Sequence, residues 1–149
     1  MPNLLQLRDT LEPERGYSYQ DYYINGRRLA DRMNLGGQVP PLGWFNPEAD
    51  QRARRLLLLD EEFTPDPGRV PLFVCHWCGD ELCGYVAALV TRQGDQVIWS
   101  DFSKVDYNSF DADGGMLLAH REIEGGSRLR FSFDAEQYRV AIEKGTQNP

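Results

Sequence analysis

The chain has 149 residues, 41% of them apolar and 26% charged, which suits one globular domain and excludes an intrinsically disordered chain. Its net charge of −7 and pI near 4.8 repel phosphate backbones, so nucleic acid is not an expected partner. No run approaches the roughly 20 apolar residues of a membrane-spanning helix, and Met1–Asp9 meets a charge at Arg8 without an apolar leader core. The cytoplasm is therefore the expected compartment, with no membrane partner.

Residues 1–16, punctuated by Pro2, Pro13 and Gly16, read as a flexible N-terminal arm, and residues 17–149 as a single domain. Tyr17–Ile24 is an aromatic-rich strand closed by an Asn25-Gly26 turn. Its Tyr19 and Tyr22 are candidates for a partner-binding face, since tyrosine supplies amphipathic contact area. Arg27–Asn34 is predicted as a short helix with Leu29 and Met33 one turn apart, and Leu35–Gly43 breaks structure. A stronger helix opens at Asn46, which can cap it, with Pro47 at the first position and Glu48 and Asp50 complementing the dipole. Ala49, Ala53, Leu56 and Leu57 form its apolar stripe; Arg52, Arg54 and Arg55 fall outside it, and the helix should end near Leu59. Asp60–Gly68 follows as an acidic, proline-punctuated loop whose Asp60, Glu61, Glu62 and Asp66 are candidate contacts for a basic protein partner.

Val70–Phe102 carries the clearest strand pattern. Leu72–Val74, the near-continuous apolar run Tyr85–Val90, and Gln96–Phe102 predict a three-stranded antiparallel meander, the first turn holding the cysteines. In the third strand Val97, Trp99 and Asp101 should share one side, Ile98, Ser100 and Phe102 the other. Ser109–Gly114 faintly echoes a calcium loop, but the twelfth position is His120 where calcium wants a bidentate glutamate. Met116–Glu124 and Arg128–Phe133 flank Gly125-Gly126-Ser127 and read as a hairpin. The last helix starts at the cap Asp134, with Gln137 at the capping-box position, Phe133 stapled to Tyr138, and Tyr138, Ala141 and Ile142 buried. The expected fold is α+β: an antiparallel sheet of about five or six strands with two main helices packed on it.

All three cysteines lie in one turn. Cys75-His76-Trp77-Cys78-Gly79 resembles half of a zinc site, because a CxxCG turn aims two thiolates at one centre, and Cys83 could be a third ligand. A fourth could come from His120, Asp80 or His76; the competing reading is three reduced thiols packed as small hydrophobes, so one zinc or none both stay open. A redox dithiol of the thioredoxin kind needs a helix N-terminus after the motif, and here another strand follows instead.

The pattern Val70–Cys75, Cys78-Gly79-Asp80, Cys83-Gly84, then Gly94–Phe102 and finally Phe131–Tyr138 resembles a family of small uncharacterised bacterial proteins with a VPL(F/Y)VC-x-x-CGD-x-x-CG turn, a GD-x-V-x-W-x-DF strand and an F-x-FD-x-x-Q-Y segment. The likeness extends to Ile24–Leu29 and covers most of the chain from about Tyr17 onward. Some members are loosely labelled oxidoreductases, but the resemblance implies no active site.

Lone histidines, scattered carboxylates and the lack of phosphate-cradling glycines weigh against an enzyme. The expectation is an acidic cytoplasmic interaction protein that binds a basic protein partner, an immunity protein neutralising a basic toxin being one form of it. The alternatives are a zinc-binding module on Cys75, Cys78, Cys83 and His120, or a thiol oxidoreductase.

Overall fold

Leu5 and Leu7 alternate with Gln6 and Arg8, and that period of two makes the opening of the chain a strand, β1 (Leu5–Leu11). It pairs antiparallel with β2 (Ser18–Ile24) over its whole length, and both leucines are fully buried. The stretch expected as a flexible arm is thus corrected: two inward leucines and a seven-residue partner strand hold it. The computed structural model describes residues 2–35, 37–44, 46–79, 81–110, 116–126 and 128–144. The calcium-like segment lies largely outside these, and so does Asp80.

The Asn25-Gly26 turn leads to β3 (Arg27–Arg28), which pairs with β2 and completes a three-stranded sheet. The predicted helix over Arg27–Asn34 shrinks to a single 3₁₀ turn, Leu29–Arg32, because Arg27 and Arg28 are spent on the sheet. Arg28 instead reaches back: its Nε meets Asp21 Oδ2 at 2.6 Å and its Nη2 donates to the Tyr19 hydroxyl at 3.3 Å. Asp21 is wholly buried and also accepts the Tyr22 N–H, so its charge is partnered twice.

After β4 (Gln38–Val39) comes α1 (Pro47–Leu57), started as the sequence predicts: Asn46 Oδ1 accepts the Ala49 N–H at 2.7 Å, and Ala53, Leu56 and Leu57 are buried. The meander follows as β5 (Arg69–Cys75), β6 (Tyr85–Gln93) and β7 (Gln96–Phe110). Its alternation breaks once. Between Ser100, opposite Leu89, and Ser103, opposite Ala87, β7 carries one residue more than β6. Asp101 takes the strain at φ 51°, and Arg69 holds it through the Asp101 carboxylate at 2.5 Å and carbonyl at 2.8 Å. The bulge turns Phe102 onto the side of Trp99, their ring centroids 6.5 Å apart, and leaves Asp101 exposed.

The expected hairpin is also corrected. β8 (Met116–Glu122) pairs with Ser103–Phe110 of β7, and β9 (Arg130–Asp134) pairs with Gln96–Ser100, so the two run end to end along one edge of the same long strand. Fifteen residues of β7 offer more ladder than a two-strand hairpin, and the bulge at Asp101 marks the gap between the two partners. The loop between them packs inward at Ile123 and Gly126. The larger sheet therefore runs β4-β5-β6-β7-β8, with β9 beside β8 on β7. Among the described residues the chain is an α+β domain of nine antiparallel-paired strands in two sheets and two α-helices.

Aromatic rings join the layers. Tyr22 of the small sheet stands edge-on to Phe73 and Trp99 of the large one, both at 5.4 Å, and donates its hydroxyl to the Leu72 carbonyl at 2.9 Å. α2 (Ala135–Lys144) adds Tyr138, whose hydroxyl accepts from Trp99 Nε1 at 3.1 Å and donates to the Leu57 carbonyl at 2.6 Å. Asp134 caps α2 through the Gln137 N–H, and Phe133 lies against Tyr138 at 5.4 Å. Gln137 does not close a capping box. Its side-chain amide clamps Leu5 of β1, accepting from the N–H at 3.2 Å and donating to the carbonyl at 2.7 Å.

Candidate metal centre at the cysteine turn

β5 ends at Cys75, opposite Gln38 of β4, and the chain turns there. Gly79 has φ 67°, a conformation glycine adopts without strain, and its N–H donates to the Cys75 carbonyl at 3.0 Å. A short 3₁₀ turn, Glu81–Cys83, then feeds Gly84 at φ 92°, where a Cβ would come within 2.7 Å of Asp106 Oδ1. Among the described residues the next elements after the CxxC pair are this 3₁₀ turn and β6 (Tyr85–Gln93), not the α-helix N-terminus that activates a thioredoxin site. Closing the turn this way brings all three sulfurs within 4.8 Å of one another, with Cys78 Sγ and Cys83 Sγ 2.8 Å apart. All three are free thiols; Cys75 and Cys78 are half-buried and Cys83 is exposed.

The thiols are electrically unequal. Burial pushes Cys75 up, but the N–H groups of Cys78 and Trp77 and the Cys78 thiol, all hydrogen-bonded to its sulfur, bring it below an ordinary cysteine. Cys83 is pushed up to about 12, first by its hydrogen bond with Cys78, then by burial and by the neighbouring sulfurs. Three thiolates cannot share so small a space unless a cation balances them. Three cysteine sulfurs gathered this closely make a donor set suited to a soft or borderline metal.

Distant parts of the chain hold this turn in place. Glu81 pairs with Arg52 of α1 at 2.5 Å, and Gln38 Nε2 donates to the Gly84 carbonyl at 3.3 Å. The tip of the β1–β2 hairpin reaches over from the other sheet: the Tyr17 hydroxyl donates to the His76 carbonyl at 2.7 Å, and the Arg15 guanidinium lies 4.3 Å over the half-exposed Trp77 ring. Tyr17 itself stacks on Trp44 at 4.3 Å. His76 turns away from the sulfurs, bonding the Gly37 carbonyl through Nδ1 and Glu14 Oε2 through Nε2 at 3.3 Å. The Gly37 carbonyl, with Glu14 behind it and burial opposing, holds His76 above an ordinary histidine. Glu12, Glu14 and His76 form a second group of metal-capable donors, and nothing in the sequence announces it because 62 residues separate Glu14 from His76.

The remaining candidates scatter. His120 sits on β8 and bonds Asp66 Oδ2 at 2.7 Å; it is not part of the sulfur group, so the expected fourth ligand is corrected. Tyr19 and Tyr22 are corrected as partner-binding residues, being 3% and 0% exposed. Of the acidic set, Glu61 is tied to Arg52 and Arg55, and Asp66 to His120 and Arg69, while Asp60 and Glu62 are exposed. Asp60, Glu61 and Glu62 border a shallow cleft of about 270 Å³ that Phe63 and Val70 also line. Set against protein-family models, curated proteins and solved structures, the chain finds no match.

Proposed function

We propose that this protein is a metal-thiolate module in which Cys75, Cys78 and Cys83 hold one thiophilic cation, zinc in the first instance. The observation that carries the reading is the convergence of three sulfurs within 4.8 Å on a turn fixed by two glycines and by side chains from both sheets and α1. Three thiolates fill three corners of the tetrahedron zinc prefers, and the fourth falls to water or to a donor beyond the described residues. The cation would displace the thiol protons, so binding tightens as pH rises. Its role is to pin the turn, and the described residues around it are structural clamps.

Titration of reduced, metal-stripped protein with zinc against a chromophoric chelator tests this. One equivalent should bind, and Cys75→Ser, Cys78→Ser and Cys83→Ser should each weaken it on the order of a hundredfold or more, since even second-shell changes cost ten- to a hundredfold. His120→Ala should bind as the parent does. Cobalt in place of zinc should give thiolate charge-transfer absorption. Failure of the reduced protein to bind one equivalent overturns the reading.

A second reading, an interaction protein for a basic partner with an immunity protein as one form, is favoured by Asp60 and Glu62 standing exposed beside the exposed Leu59. Reversing both charges should release a partner that co-purifies from the protein's own host. Unchanged co-purification would remove this surface.

A further inference from the structure

We propose that Cys78 and Cys83 are a redox modification site, a thiol pair that hydroperoxides convert to an intramolecular disulfide while Cys75 stays reduced. The inference stands on the placement of the sulfurs and not on a bound metal, so it and the metal reading can fail separately. Three observations carry it. Cys78 Sγ and Cys83 Sγ adjoin directly, 2.8 Å apart, so only a small movement separates them from the roughly 2.05 Å of a disulfide bond. Cys83 is exposed and Cys78 only half-buried, so an oxidant in solution reaches the pair. Gly79 and Gly84, both at positive φ, lie just after the two cysteines, where small backbone rotations suffice to bring the sulfurs together. Cys75 is held differently: although its thiol is the one brought below an ordinary cysteine, it sits half-buried at the end of a strand paired to β4, while Cys83 is exposed.

The chemistry balances. One sulfur of the pair attacks an oxygen of the hydroperoxide; the O–O bond breaks, the leaving oxygen departs protonated, and a sulfenic acid remains. The second sulfur attacks the first, the S–S bond forms, the S–O bond breaks, and the hydroxide leaves with the remaining thiol proton as water. Two thiols lose two electrons and two protons, and the hydroperoxide takes both. A closed disulfide leaves Cys75 as the one thiol of the three, so oxidation and three-thiolate metal binding exclude each other.

The test uses the full-length, reduced and metal-stripped protein with hydrogen peroxide, followed by alkylation of the remaining thiols. Trypsin releases 70–92 with all three cysteines, and a glutamate-specific protease then cuts after Glu81, between Cys78 and Cys83. The expected product keeps the two fragments joined until a reductant is added and carries one alkyl group, on Cys75. The Cys75→Ser variant should give the same joined product at a rate within about twofold, because there only Cys78 can partner Cys83; the comparison of rates follows from exchange depending on the attacking and resolving thiols alone. The Cys83→Ser variant should give no joined product. Fragments that separate without reductant, covalent dimers as the main product, or loss of the joined product in Cys75→Ser would each overturn the proposal. In urea the preference should vanish, since an unfolded chain closes the shorter Cys75–Cys78 loop at no greater entropic cost.

Discussion

The Trp99 cluster and the cysteine turn sit on the same three strands and are built on opposite principles. Around Trp99 every hydrogen-bonding group named is satisfied from within: Trp99 Nε1 by Tyr138, Tyr138 by Leu57, and Tyr22 by Leu72, all inside packed aromatic rings. Around the cysteines the satisfied groups are the clamps, and the sulfurs at the centre have mainly one another and the N–H groups of their own turn. A group whose bonding capacity is consumed internally stabilises the fold and has nothing left for a ligand; soft donors gathered on an outward turn add little to stability and keep their capacity for chemistry.

The largest expected effect tests the first half of that contrast. Trp99→Ala should cost about 4 kcal/mol, the usual penalty for emptying a buried aromatic site, read from the denaturant midpoint. If that variant does not fold, Tyr138→Phe should cost about 2 kcal/mol, because it strands the Leu57 carbonyl and the Trp99 N–H in the interior. A loss below about 0.5 kcal/mol in Tyr138→Phe would mean that these bonds do not distinguish the cluster.

The next effect lies in the small sheet. Arg28→Ala should cost about 3 kcal/mol, the lower end for stripping the partner from a buried charge, since Arg28 is itself about a third exposed. The pH dependence of the same pair has a definite sign. Burial pushes the Asp21 carboxyl above its ordinary value near 3.8, against the pull of Arg28 and the Tyr22 N–H. The folded chain therefore keeps this proton to higher pH than the unfolded chain does. The stability it contributes is complete below the ordinary carboxylate value and is lost as pH rises through the folded one. Wild-type stability measured against Asp21→Asn should fall as pH rises through the acid range; the opposite slope would mean that Arg28 outweighs burial.

At the cysteine end the expected effects are small. The double variant Cys78→Ser, Cys83→Ser should lie within about 1 kcal/mol of the parent when a chelator is present and fall behind it only in zinc, by the linkage of binding to folding. Equal stability with and without zinc in the parent would blur the contrast between the two regions. Arg15→Ala should be smaller still, about 0.5 kcal/mol for an exposed cation–π contact, but should shift Trp77 fluorescence as the hairpin tip lets go of the ring.

Much of the local architecture was legible in the residues. Asn46 and Pro47 start α1 and Asp134 starts α2 because a cap is a contact between near neighbours, and the three-strand meander follows from apolar runs parted by turn residues. The misreadings share one cause. The arm became β1 because Leu5 and Leu7 found a core and Gln137 clamped Leu5; Gln137 left its capping box for the same bond. The expected hairpin became two strands in line on β7, since a turn signal says that the chain reverses or loops and not which partner it meets. A tyrosine run shows the same pattern for an exposed face as for the interior, and Tyr19 and Tyr22 went inward because Phe73, Trp99 and Arg28 were waiting there.

By itself, then, the sequence determined the α+β class, the starts of both helices, the meander and the presence of three thiols in one turn, all of which rest on interactions between residues close along the chain. Tertiary structure alone decided that the three sulfurs meet, that His120 goes to Asp66, and that Glu14, Arg15 and Tyr17 reach across from the first hairpin to hold the cysteine turn. Apart from the sulfurs, which are close along the chain, those contacts join residues tens of positions apart, and which of many chemically equal partners a side chain finds is fixed only when the sheets pack.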